Sequence, residues 1–294
     1  MTLGQLRTFL AVARAGSING AAAELMVTEP SVSAAVATLG REIGVPLVER
    51  AGRGIKLTAA GEELARYAAQ ILGLSDRAVR ASREAAGEAG HLRLVAVTTA
   101  GEHVLPPILA AFRVRYPEVE ISLEVTNKST SIARLLGHEA DLAVGGRPPS
   151  DSDIEGEVFL GNDLVVVGRA DHPLRGCRAV GADAIASETW LLREPGSGTR
   201  TTTEELWVTL GIEPSSVMTI GSNGAIKQAA GVGLGVTLMS GHAVATELEA
   251  GSLALLRVKG TPLQRSWYVL RLGGSLLPRC AELFLGVLSS EAAT

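Results

Sequence analysis

At Gly87 and Gly90 the hydrophobic period of the chain changes. Helical spacing dominates before them, and short apolar runs alternating with helical stretches follow. A chain patterned this way has to fold as an all-helical head followed by an α/β body. Its 294 residues are enough for two domains with sizeable cores. Apolar residues make up 46% and charged residues 20%, which excludes a largely disordered chain. The net charge of -4 gives no whole-chain argument for nucleic acid, so the charge has to be read by segment. Residues 1 to 60 carry six basic and four acidic side chains, whereas residues 91 to 294 carry 17 basic and 22 acidic ones. The positive end is therefore the N-terminal one.

Within the head, Leu3, Leu6, Leu10 and Ala13 recur at helical spacing until Gly16 stops them. Ser17 is suited to cap a second short helix, Ile18 to Met26, and Thr28 a third, with Pro30 in its first turn. The spacing predicts a buried stripe of Val32, Val36, Leu39 and Ile43 on that third helix, which ends at Gly44. Val48 to Leu57 reads as a two-stranded wing around Arg50, Arg53 and Lys56. From Thr58 a long helix follows, with Leu64, Ala68, Ile71 and Ala78 along one side. Two helices at a tight turn with a basic wing are the arrangement that sets one helix in the major groove and a hairpin on phosphates.

Beyond Gly90 the pattern predicts βαβαβ: Leu92 to Val97, a helix from about Gly101 to Arg115, Val119 to Val125, a helix from about Ser129 to Gly137, then Asp141 to Val144. Strands at Val158 to Gly168, Trp190 to Arg193 and Met218 to Ile220, with helices after Ser197 and Asn223, continue the alternation. The run Arg193-Glu194-Pro195-Gly196-Ser197-Gly198-Thr199-Arg200 opens a helix on a Gly/Ser loop. Free N–H groups at such a start make an anion site, to which Arg200 adds a bidentate charge; the plainer reading is that the glycines turn the chain and Thr199 caps the helix. The starts at Asn223-Gly224, Thr98-Thr99-Ala100 and Asn127 to Ser129 are expected to converge on the same crevice.

The segments Leu6 to Ala13, Gly16-Ser17, Ala21 to Ala23, Glu42 to Arg50 and Leu57 to Gly61 together resemble LysR-type transcriptional regulators. Leu105-Pro106-Pro107, Tyr116-Pro117 and Gly231 to Val236 are similar to the effector domain of that family. The resemblance implies a winged helix-turn-helix at 1–60, a linker and dimerisation helix at 61–90, and an effector domain at 91–294. That domain would have two Rossmann-like lobes resembling periplasmic binding proteins, lobe one at 91–165 and 268–294 and lobe two at 166–267. By resemblance, DNA contacts fall on Thr28, Glu29, Ser31, Ser33, Ala34, Ala35, Thr38, Arg50, Arg53 and Lys56. The family often carries glutamine at the position of Glu29 and arginine or glutamine at those of Ala34 and Ala35. Sequence readout here is therefore expected either to be weaker or to lean on the wing and on DNA shape. Effector contacts are expected from Thr98, Thr99, Ala100, Asn127, Ser129, Gly196, Ser197, Gly198, Thr199, Arg200, Asn223 and Gly224. The Gly/Ser loop is similar to that of members governing carbon-fixation or sulfur genes, which implies a small anionic metabolite as effector. Duplex DNA, a second copy of the chain as dimer or tetramer, and RNA polymerase are the other implied partners.

Cys177 and Cys280 have no metal or disulfide spacing and are expected in the core, and none of the five histidines has metal-ligand spacing. No cofactor and no catalytic residue is expected. The uncharged run Gln228 to Thr246 is broken by glycines and reads as a buried helix end entering a strand, not a membrane span. With no export signal evident, a cytoplasmic protein is expected. Two other classes stay open: a solute-binding protein, which the N-terminal module argues against, and an enzyme using the Gly/Ser loop for phosphate, for which no acid/base pair is evident.

Overall fold

The computed structural model describes residues 1–52, 54–150 and 152–291; Arg53 lies outside them. The chain forms two compact units, Met1–Glu88 together with Leu136–Glu139, and the remainder from Ala89 onward.

In the head, α1 (Leu3–Ala15), α2 (Ile18–Leu25) and α3 (Glu29–Ile43) are followed by the hairpin β1 (Val48–Ala51) and β2 (Gly54–Leu57) and by the long α4 (Ala59–Ala85). Local signals set these boundaries. Thr2 and Gln5 form a capping box on α1, and Gly16 takes φ 62 while its N–H donates to Val12 O. Ser17 Oγ accepts from Gly20 N at 3.1 Å and Thr58 Oγ1 from Gly61 N at 3.0 Å, which begins α2 and α4. Gly61 also admits a close approach, since a Cβ there would lie 2.0 Å from the Leu47 carbonyl oxygen. Leu6, Phe9, Val12, Val32, Val36 and Leu39 fill the core between the helices. Burial of a side chain such as Phe9 stabilises the head by about 2–3 kcal/mol.

The second unit is built on a seven-stranded sheet. β3 (His91–Val97) lies between β4 (Glu120–Thr126) and β5 (Leu142–Gly145), parallel to both. Two long strands continue the sheet: β6 (Ile154–Arg169) and β11 (Leu263–Leu272) pair antiparallel from Leu272↔Ile154 to Leu263↔Leu164. The far half of β6 then carries β9 (Thr237–Ser240) and β10 (Leu253–Leu256). A parallel pair, β7 (Thr189–Leu192) and β8 (Ser216–Thr219), joins this end through the Trp190↔Val236 bridge. Helices α5 (Leu105–Arg115) and α11 (Arg279–Glu291) pack on the first end around Phe112 and Phe284, whose rings meet edge-on at 5.4 Å. Around the other end lie α7 (Ala182–Ala186), α8 (Gly198–Leu210), α9 (Asn223–Gly231) and α10 (Gly241–Glu249). Trp190 centres the core there, meeting Trp207 at 5.5 Å and donating its Nε1–H to Ile185 O. Two cores on one pair of continuous strands leave a crevice where those strands cross from one core to the other.

Several expectations need correction. Ile43 is 40% exposed, because it sits in the last turn of α3 beyond the reach of the packed helices. Ile71 on α4 is likewise exposed, and Leu72 takes the buried position. Cys177 is exposed, in a loop; only Cys280 is in the core. Thr98 and Thr99 are not in a loop but in the first helical turn after β3, and Ala100–Val104 continues as a π-helical turn before α5. The helix expected from Ser129 begins one residue earlier, as α6 (Lys128–Leu136).

Candidate effector cavity and DNA-facing surface

On the head, the face of α3 turned from the core carries Glu29, Ser31, Ser33 and Ala34, all exposed, with Ala35 and Thr38 half-buried. Several of these polar groups are already engaged. Glu29 accepts from Asn19 Nδ2 at 2.7 Å, Thr28 and Ser31 share a 2.8 Å hydroxyl contact, and Thr38 Oγ1 accepts from Arg41 Nη2 at 2.9 Å. Arg41, which the sequence reading passed over, thus brings a long cationic donor to this surface. On the wing, Arg50 and Lys56 are exposed. Lys56 pairs with Glu49 at 2.8 Å, and that hydrogen bond holds its ammonium above the ordinary lysine value. Arg50 meets no carboxylate among the described residues and is the wing's freer cation.

In the second unit, a cavity of about 600 Å³ opens where the paired β6 and β11 cross from one core to the other. It lies at the C-terminal ends of the parallel strands, as expected for an open α/β sheet. Three of its walls come from residues just past β3, β4 and β5 (Thr98 and Thr99, Asn127 and Lys128, Gly146 and Arg147), and a fourth from the start of α8. The crossing strands contribute Asn162 and Gln264 to Tyr268.

Helix α8 starts without a cap. Ser197 occupies the N-cap position, yet no side chain accepts from the first turn. The N–H groups of Gly198, Thr199 and Arg200 precede the first possible intrahelical partner, so they are left as donors at the positive end of a 13-residue helix. Gly196, at φ +88, permits this turn, and a Cβ on it would lie 2.8 Å from Ser129 Oγ. Beside the helix start is Arg193, 7% exposed and lining the cavity. Its guanidinium is held from three sides: bidentate to Glu194 at 2.7 and 2.9 Å, to Asn223 Oδ1 at 2.5 Å, and to Thr98 Oγ1 at 3.5 Å. The Arg193 hydrogen bonds keep the Glu194 carboxyl below its ordinary value. Asn223 passes the network on, donating to Thr99 Oγ1 at 3.1 Å.

Of the positions expected to meet an effector, Thr98, Thr99, Asn127, Ser197, Gly198 and Thr199 line the cavity. Ala100, Ser129, Gly196, Arg200, Asn223 and Gly224 do not. Ala100 is fully buried behind the strand end. Ser129 donates to Asn127 Oδ1 at 2.9 Å and Gly196 abuts Ser129, so both shape the rim. Arg200 is turned along its own helix: Nε donates to Glu204 Oε1 at 2.8 Å and Nη1 to the Arg193 carbonyl at 3.2 Å. The bidentate anion contact expected of Arg200 is thus not presented to the cavity, and Arg193 stands there instead. Lys128, inside the expected stretch Asn127 to Ser129, also lines it, as do Arg147, Asn162, Thr201, Thr202, Glu205 and Arg265, which were not expected there. Thr201, Thr202 and Glu205 follow the Gly/Ser run on α8, whereas Arg147, Asn162 and Arg265 arrive from distant segments.

Cations predominate in the lining, with Lys128, Arg147, Arg193 and Arg265 against Glu205 alone. Two matches fit these two surfaces. The family model for the bacterial regulatory helix-turn-helix protein, lysR family, covers residues 3–62, and that for the LysR substrate binding domain covers residues 85–293. The chain belongs to the LysR family of transcriptional regulators. It is 38% identical to the HTH-type transcriptional activator CmpR of Synechocystis sp., over 98% of this chain and 94% of that one. It is also 38% identical to the RuBisCO operon transcriptional regulator of Allochromatium vinosum, over 100% of this chain and 97% of that one. Among solved structures, the Synechocystis CcmR regulatory domain in complex with 2-PG is similar at a TM-score of 0.64 and 36% identity, over 69% of this chain and 97% of that one. As a LysR-family regulator, the chain combines an N-terminal helix-turn-helix with a C-terminal α/β effector-binding domain. Among its described residues no helix is long and apolar enough to cross a membrane.

Proposed function

We propose that this LysR-family regulator binds a small anionic metabolite at the uncapped start of α8 and, in answer to it, controls operons of the carbon-fixation type. The observation that carries this reading is the coincidence of the unpartnered N–H groups of Gly198 and Thr199, at the start of α8, with the buried Arg193 guanidinium in one cavity. The operon class is supported by the relatives, CmpR and the RuBisCO operon regulator. A ligand of the same general kind is supported by the CcmR domain, which was solved with 2-PG.

In this reading the site residues are those set out above, with Arg193 added and the DNA contacts on α3, Arg41 and the wing. The segments 1–60, 61–90 and 91–294 act as head, linker and effector domain. Within the last, the lobes meet where β6 and β11 cross. Closure of the cavity on its ligand favours one arrangement of the effector domains in a dimer or tetramer and so changes the spacing of the DNA-binding heads. The protein works in the cytoplasm, contacts RNA polymerase at its promoters and turns over no substrate, in keeping with relatives that are transcription regulators.

The test is a nuclease footprint of the full chain on DNA flanking its own gene, with and without saturating small phosphorylated acids. Ligand is expected to shift the footprint while leaving the oligomer intact. An unchanged footprint with a ligand shown to bind contradicts the proposal.

A further inference from the structure

Resting on α3 as the helix presented to DNA, we propose that Glu29 reads a base directly: its carboxylate selects a cytosine by accepting a hydrogen bond from the cytosine amino group in the major groove. In a helix-turn-helix the first residues of the second helix are the ones that reach base edges. Glu29 is the first residue of α3, and with Ile18, Pro30 and Ser33 it lines a shallow concavity on the head. Further along this side stand Ser33, Ala34 and Ala37, all exposed and all short. Such small side chains let the helix come close to the bases. Thr28 and Ser31 occupy each other. Arg41 lies about three turns away, at the other end of the helix. Glu29 is thus the long polar side chain at the reading end of α3.

Its carboxylate is oriented before any DNA arrives. Asn19 Nδ2, on α2, donates to Oε1 at 2.7 Å, whereas Oε2 accepts from nothing among the described residues. An ionised carboxylate can only accept hydrogen bonds. Duplex DNA offers such a group mostly other acceptors: phosphate oxygens, guanine N7 and O6, thymine O4 and adenine N7. The donors in the major groove are the amino groups of cytosine and adenine.

These two donors differ in what lies beside them. Next to the adenine amino group is N7, whose lone pair repels a carboxylate, while cytosine presents a C–H there. Against guanine or thymine, Glu29 would be stripped of water and left without a donor, which costs more for a charged group than for a neutral one. Cytosine is therefore the base that Glu29 accepts, and Asn19 is a positioning residue that aims the carboxylate.

The test is selection of the full chain and of its Glu29→Gln variant on a pool of random-sequence duplexes at one salt concentration. The enriched sites and their single-base-pair replacements are then titrated. The parent is expected to enrich a cytosine that it prefers over guanine or thymine by about tenfold or more, the usual scale for one mismatched pair. In Glu29→Gln that position moves to adenine, because glutamine accepts from N6 and donates to N7. Asn19→Ala is expected to keep the cytosine with a smaller discrimination. If Glu29→Gln enriches the same sites as the parent and merely binds every duplex tighter, the carboxylate only repels phosphates; the base reading is overturned and α3 stands as the DNA helix. A parent preference for any base other than cytosine at the position that the variant changes overturns it as well. If neither chain enriches a sequence, the assignment of α3 to DNA falls and this inference with it.

Discussion

Two helices of the effector domain begin in similar polar sequence and end up doing different things. Ser222-Asn223-Gly224 opens α9 and Ser197-Gly198-Thr199 opens α8. At α9, Ser222 Oγ accepts from Ala225 N, and Asn223 turns inward to join Arg193 to Thr99; this start is capped by its own chain and lies off the cavity. At α8 the serine makes no cap bond, the first N–H groups are left free and the helix opens on the cavity. A Gly/Ser-rich helix start is therefore only a potential anion site. What decides is whether a side chain of the protein has already taken the donors.

The contrast can be broken most severely at Arg193, the group that ties the two starts together. Arg193→Met is expected to abolish measurable anion binding. It also destabilises the domain by about 3 kcal/mol, the scale for removing one partner of a buried, hydrogen-bonded ion pair, as read by denaturant unfolding. Next in size is Gly198→Pro, which removes one ligand-facing N–H at the first helical position, where proline is compatible with the helix. Its Cβ would meet only Lys128 Cδ, at 3.7 Å. The expected result is a loss of about tenfold in phosphate affinity by calorimetry, with unchanged melting temperature.

Ser222→Ala sharpens the comparison from the other side. It should cost about 1 kcal/mol or less of stability through the lost cap and leave phosphate affinity as it was. The smallest effect is on acid stability. Arg193 holds the Glu194 carboxyl below its ordinary value of 4.5, so the pair stabilises the fold above that pH. The contribution is lost as pH falls from there through the folded-state value. Glu194→Gln should accordingly show a shallower decline in melting temperature below pH 4.5 than the parent.

The same contrast explains what could be read in the sequence. The head was legible because its signals are local: Ser17, Pro30, Gly16 and Gly44 mark helix ends within a few residues of the groups they satisfy. The α/β alternation was legible from periodicity, and the Gly/Ser run pointed to α8. Side-chain direction was not. Arg200 and Arg193 flank the same loop, and which of them faces the cavity depends on Glu204 capturing the one and Glu194, Asn223 and Thr98 fixing the other. Asn162 and Arg265 reach the cavity through strand pairing across more than a hundred residues, which no window of sequence displays. The exposure of Ile43 shows the same limit, since its spacing fits the buried stripe but no neighbour covers the end of α3.

The most direct test follows the backbone amides of the full chain by NMR as inorganic phosphate is added at constant ionic strength. The amides of Gly198, Thr199 and Arg200 should move together along one saturable curve, while those of Asn223, Gly224 and Ala225 shift little. Saturable shifts of equal size at both helix starts, or none at α8, would contradict the account.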